Sequence, residues 1–438
     1  MYLRPTRQRR KHGPDAISAY GVLEAAHALG EEWGIGPLLR EKLQQDGCQA
    51  PHDTALFAMT ANRLARPSSK LACYEHWRAD DVYWPEARPL TLEPRSRALD
   101  SLLHHIAALE REIFGRTADL FNAEGDLVFW DTTPLDLEID EEDEDGEQWQ
   151  TRDIPALRKR GHHKDGRDGN PQVVVGLART RDGWPVRSWV CPGNTADVTT
   201  MAHLKAELRG WRLNRGVLVG EGERRCRYLV CHNPEEAARE QTHRKQLLEL
   251  VRAELAARQA DHPKKACERM ASRRCGRSLT MDARGRLSSN ATTVAAEAKY
   301  DGKFVLTTND DTLDAEAVAL GYKSMTLIEG CFRRMKTTGL QARPLYHGRP
   351  PRIIAHVKLC VLAWRLERAA EIRGPQTWRT LRHTLEPLKV VRSRLQGKTD
   401  VQSTQVSAPM AEILRSLGIP LPKKILDVSE WASTILLA

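Results

Sequence analysis

The segment Ile353–Leu366 constrains the fold most, because it is apolar nearly all the way round rather than on one stripe. A helix of that kind has no face to give to water, so it belongs inside the protein with other elements around it. A chain of 438 residues is long enough to supply that surround, and to form two or three domains. Its 41% apolar and 29% charged residues are those of a globular chain.

The first 120 residues read as a helical region. Leu99, Leu102, Ile106, Leu109 and Ile113 recur at three- and four-residue spacing, with Pro94 at the start. A second helix is expected over Thr54–Leu64, ending before Pro67. Trp77, Tyr83 and Trp84 cluster after it and are read as core filling, with a base-stacking surface as the other possibility. The pattern then changes. Asp126–Asp131 (DLVFWD) is a short buried strand closed by an acid. Glu138–Glu147 is a dense acidic run, read as a solvated loop, and a basic run from Arg158 to Lys164 follows. Gln172–Ala178 and Val186–Cys191, joined by Arg181-Asp182-Gly183, read as a hairpin. Asp197 can cap a helix to about Leu208, and Val217–Val219 is a further strand. Antiparallel strands followed by parallel ones make the first half of an RNase H-like α/β sheet, a mixed sheet flanked by helices.

Residues 221–300 differ in character and read as an inserted subdomain: a short strand at Tyr228–Cys231, a charged helix over Glu235–Arg258, and dense Arg and Lys to Arg277. The strand Phe304–Thr307 is expected to resume the core, and Val318–Lys336 to be helical. The organisation is therefore 1–120 helical, 121–220 first half of the core, 221–300 insertion, 301–385 second half, and 386–438 a loosely attached tail.

Lys and Arg total 67 against 58 Asp and Glu, a net charge of +9 that permits a polyanionic partner without requiring one. The nine cysteines have no pairing spacing, which suggests reduced thiols and a cytoplasmic home. Cys226 with Cys231-His232 is half a zinc pattern with no second half. The basic N-terminus has no apolar stretch after it, and no apolar run reaches membrane-spanning length.

Two-metal phosphoryl chemistry needs carboxylates converging from different elements. Asp131, at the end of a strand, is one candidate metal ligand, although an Asp there is often only a turn former. On the helix near residue 330, Tyr322, Glu329 and Lys336 are spaced seven apart, which puts a hydroxyl, a carboxylate and an ammonium in one stripe. The bland alternative is that Glu329 pairs with Arg333 one turn on.

The stretch Tyr322-x2-Met325-x3-Glu329-x6-Lys336 resembles the Y-x2-R-x3-E-x6-K signature of DDE insertion-sequence transposases, the large family often called insertion sequence four. FWDTT (129–133), GHHKDGR (161–167), PQVVVGLA (171–178), PGNTADVTT (192–200) and LTTNDD (306–311) match in the same order, over residues 20–385. The resemblance implies cut-and-paste transposition with Mg²⁺ or Mn²⁺: a homodimer binds double-stranded DNA, at transposon ends and at the target, and cleaves and joins strands. It implies that Asp131 and Glu329 are the first and third catalytic acids and metal ligands, and that Tyr322 and Lys336 contact phosphate; Arg333, on the same helix, and Lys164, in the basic run, are expected nucleic-acid contacts beside them. Two departures matter. Met325 replaces the signature arginine. After Val217–Gly220, where a V-G-D-x-G-like turn would bring the second acid, stands Glu221, and the following helix and strands are missing. The resemblance therefore implies an internally deleted copy, with Glu221 the stand-in for the aspartate and catalysis impaired, or else a non-catalytic DNA-binding remnant that regulates transposition. A generic metal nuclease on the same scaffold is the third reading.

Overall fold

The computed structural model describes residues 16–87, 90, 94–121, 128–150, 152–161, 169–180, 182–196, 207–208, 211, 227–257, 279–282, 287–308, 312–343, 345, 347–374, 376–395 and 398–430. The helix expected after Asp197, the strand at Val217–Val219 and the basic segment up to Arg277 lie outside the described residues. The chain divides into two compact units, one made of Met1–Gly216 with Met325–Ala438, the other Val217–Ser324.

In chain order the elements are β1 (Ala16–Ala19), α1 (Gly21–Glu32), α2 (Ile35–Gln45), α3 (His52–Ala65), α4 (Pro94–Phe121), β2 (Val128–Asp136), β3 (Glu147–Trp149), β4 (Arg152–Ile154), β5 (Gln172–Thr180) and β6 (Pro185–Pro192). They continue with β7 (Arg227–His232), α5 (Pro234–Ala257), β8 (Leu279–Met281), β9 (Leu287–Ser289), α6 (Ala291–Glu297), β10 (Lys303–Thr308), α7 (Ala315–Arg333), α8 (Pro350–Arg373), α9 (Trp378–Leu385), β11 (Lys389–Leu395), β12 (Lys398–Ser403), α10 (Ala408–Ser416) and β13 (Ile425–Glu430). The architecture is mixed α/β, with small antiparallel sheets.

In the larger unit α8 is the buried helix that its composition demands. Pro350 and Pro351 open it, where their missing N–H groups cost nothing. It packs on α1, α3, α4 and β6. Three of its seven charged residues, Lys358, Arg365 and Glu367, are buried as well. Each has a partner. Lys358 Nζ donates to Glu110 of α4 (3.0 Å) and to the Ser188 carbonyl (2.5 Å), Arg365 donates to the Val186 carbonyl (2.8 Å), and Glu367 pairs with Arg334. The apolar stripe of α4 is buried at all five expected positions. Trp77 is buried, and the rings of Phe57 and Trp84 meet edge to face at 5.3 Å, so the aromatic cluster fills the core.

β2, β5 and β6 form an antiparallel sheet in which β5 is central, and the hairpin of β5 and β6 forms as expected. Asp131, Thr133 and Leu135 lie opposite Leu177, Val175 and Val173. That face turns to the main core. Its other face carries Trp130 and Trp189, edge to face at 4.8 Å. Gly176 is there because Trp130 covers it: a Cβ would overlap the indole.

Three expectations need correction. The N-terminal region is not purely helical, since β1 pairs with β11. Residues 386–438 are not a loose tail: β1, β11, β12 and β13 form a four-stranded sheet, and Met410, Ile413 and Leu414 of α10 join the core. The segment reads as mixed because strand pairing to a distant N-terminal partner leaves no local periodicity. Finally, β10 does not resume the large core but pairs antiparallel with β7, within the smaller unit. Leu229, Leu306 and Val318 form that unit's own cluster.

Candidate functional site

β2 holds Asp131 in its middle rather than at its end, and the carboxylate is partly exposed. Its Oδ1 accepts the backbone N–H of Thr132 at 2.8 Å. Thr132 and Thr133 beyond it are buried. Five residues on, Asp136 is buried and pairs with Arg343 at 2.9 Å. Arg343 also donates to the Pro134 carbonyl at 3.2 Å. Since Arg343 follows the turn that ends the signature stretch, this ion pair pins that turn to the strand of Asp131.

Glu329 is exposed on α7, and the residues beside it, Ile328 and Phe332, are buried in the core that also contains Leu135, Val175 and Leu177. Cys331 packs against the same core. Burial raises its thiol to about 11, against the opposing pull of the nearby Arg179 guanidinium. Arg179, wholly buried, lies over the Phe129 ring at 4.6 Å. Phe129 is two residues before Asp131 and on the same face of β2. The strand of Asp131 and the helix of Glu329 are thus packed into one core.

Lys336 departs from the expected stripe. The α-helix stops at Arg333, and Arg334–Thr338 form a wider π-type turn. A seven-residue step no longer returns to the same face once the backbone bonding changes from i→i−4 to i→i−5. Arg334, held by Glu367 and Glu371, anchors this turn to α8. Arg333 is exposed, and Lys336 is half-buried. Tyr322 is half-exposed in the smaller unit, stacked on Phe304 at 6.2 Å. Lys164 and Glu221 lie outside the described residues.

The basic run is less available than its sequence suggests. Arg158 is bound by Asp143 at 2.6 Å, Lys159 donates to the Asp143 carbonyl at 2.5 Å, and Arg160 donates to the Asp140 carbonyl at 2.9 Å. Asp143 itself is buried and accepts the N–H groups of Leu157 (3.0 Å) and Arg158 (2.9 Å). The acidic run is therefore in part a structural clamp on the basic one, not only a solvated loop. The two runs carry opposite charge and stand one short hairpin apart in sequence, which is the signal for their pairing.

Two further clusters form only in the folded chain. Lys70 Nζ donates to Nε2 of His347 (2.6 Å) and to Nδ1 of the buried His356 (2.8 Å), whose Nε2–H donates to the Ala342 carbonyl (3.1 Å). Burial, reinforced by the charges of Lys70 and Arg63, holds His356 well below its usual range, so it is neutral. Asp46, His104 and His105 form the other cluster, the one group of three or more potential metal ligands among the described residues. Neither was legible, because residues tens to hundreds of positions apart meet only in the fold.

No helix among the described residues is long and apolar enough to cross a membrane. Compared with known proteins, the chain matches no family model and no curated protein.

Proposed function

We propose that the chain is a DDE-type DNA transposase by descent, built on an RNase H-like core, that recognises transposon ends as a homodimer and whose strand cleavage is impaired. The observation that carries this reading is the packing of two acid-bearing elements in one core: β2 with Asp131 and α7 with Glu329, with Arg343, beyond the turn after α7, paired with Asp136 of β2. The antiparallel sheet of β2, β5 and β6 agrees with the antiparallel first half of such a core, and among the described residues no strand pairs with the other edge of β2.

Asp131 and Glu329 offer carboxylate oxygens at partly or fully exposed positions, the donor type that Mg²⁺ and Mn²⁺ prefer. A bound ion of this kind would polarise a phosphodiester and activate water or a 3′ hydroxyl. The chain's own contribution is to fix Asp131 on a strand, through the Thr132 N–H, and to keep Glu329 on a helix whose apolar side is buried. Glu221 is one methylene longer than the aspartate it would replace, and such sites tolerate displacement poorly. A second reading, a non-catalytic DNA-binding remnant that occupies ends or mixes into dimers, is favoured by the same missing acid.

The test is cleavage of labelled DNA carrying the sequences that flank the gene, with Mg²⁺ or Mn²⁺. Little or no nicking is expected. Robust metal-dependent nicking abolished by Glu221→Gln would mean that Glu221 restores the set and that the damaged-copy reading is wrong. Nicking that survives Glu221→Gln but not Asp131→Asn would assign the role to another acid, with Glu223 the nearest in sequence.

A further inference from the structure

Away from Asp131 and Glu329, α2, α4 and the hairpin of β3 and β4 bring together a set of ligands of a different chemical kind. Asp46 caps the C-terminus of α2, and His104 and His105 are consecutive on α4. The potential ligand atoms of the three lie within 4.8 Å of one another. Nε2 of His105 is 2.7 Å from Oδ2 of Asp46, and the two imidazole rings stand nearly perpendicular with centroids 4.7 Å apart.

The surroundings orient these side chains. Nδ1–H of His104 donates to Oε1 of Gln150 at 2.9 Å. With that hydrogen on Nδ1, the lone pair of His104 is at Nε2, which is how a second-shell carbonyl sets a ligating histidine. Gln150 reaches this position with φ at +53°, a left-handed backbone that a residue with a Cβ adopts only when its context holds it there. The context is Arg152, whose guanidinium donates to the carbonyls of Leu103 and His104, both at 3.3 Å. The hairpin is therefore docked on the turn of α4 that carries the two histidines.

We propose that Asp46, His104 and His105 bind one zinc-class divalent ion, with Gln150 as the positioning residue for His104. Two imidazole nitrogens and one carboxylate oxygen suit a borderline transition metal, not the hard Mg²⁺ suited to Asp131 and Glu329. Three protein ligands leave a fourth position for water. The ion joins α2, α4 and the β3–β4 hairpin, so its action is to staple the helical part of the larger unit. The proposal does not depend on the transposase reading.

The experiment is titration of the full chain with Zn²⁺ against a competing chromophoric chelator, paired with thermal unfolding in the presence and absence of Zn²⁺. One equivalent should bind and raise the unfolding temperature. His104→Gln and Asp46→Asn should each abolish that equivalent and the shift, while Gln150→Ala should weaken binding about tenfold. His104 and Asp46 are exposed, so these variants should fold, which circular dichroism checks. Cys48→Ser is the internal control: Cys48 lies 3.3 Å from His52 in the same region but outside the triad. Zinc binding that persists in His104→Gln and Asp46→Asn, or that is lost only in Cys48→Ser, overturns the proposal. So does a wild-type chain that binds no zinc.

Discussion

Glu110, Lys358 and Ser188 show how a charge enters this core. Burial lowers Lys358 from its usual range even though Glu110 favours the charged form. Removing one partner strands the other, which typically costs about 3–5 kcal/mol, whereas replacing both with apolar groups is often neutral. Glu110→Gln should therefore lose about that much in urea denaturation, and the double variant Glu110→Leu/Lys358→Met should recover most of it. Equal losses in the single and double variants would contradict the pairing. His356 makes a pH statement. Above its ordinary value of 6.5 the folded and unfolded chains are both neutral there. Below 6.5 the unfolded chain takes up a proton and the folded one does not, because burial, Lys70, Arg63 and His347 oppose it. Stability should fall as pH drops through that range, by up to about 1.4 kcal/mol per pH unit. His356→Gln should flatten the slope between pH 7.5 and 5.5; an unchanged slope would refute this assignment.

At the scale of elements, α10 offers the sharpest test. Leu414 is fully buried, so Leu414→Ala should cost about 2–5 kcal/mol. A loosely attached segment would lose less than about 0.5 kcal/mol. The difference bears on what sequence can reveal. α4, α8 and the hairpin of β5 and β6 were legible because each carries its own pattern: a stripe, an apolar surround, or two strands about one turn. The sheet of β1 with β11–β13 was not, since its outer partners come from opposite ends of the chain. The candidate site divides in the same way. Asp131 and Glu329 are marked by local motifs, but the π-type turn that displaces Lys336 begins at Arg334, whose partners Glu367 and Glu371 lie on another helix. The coupling of the acidic run to Arg158 is legible only as opposite charge, because a run of like charge normally faces water, and here one member, Asp143, turns inward.

For the whole molecule, the proposed function holds that a fold evolved to grip transposon ends outlasts the loss of one catalytic acid. End recognition, unlike cleavage, separates this from a merely basic surface, because phosphate contacts carry no sequence information. The direct measurement is the affinity of the full chain, without metal, for duplexes carrying the DNA that flanks its gene and for scrambled duplexes of equal length and composition. Both should weaken with salt, log affinity falling linearly with log salt. At a fixed salt concentration the flanking sequence should bind tighter by roughly a thousandfold or more, the usual margin of specific over non-specific binding. Equal affinity for the two duplexes, from a folded chain, would contradict it.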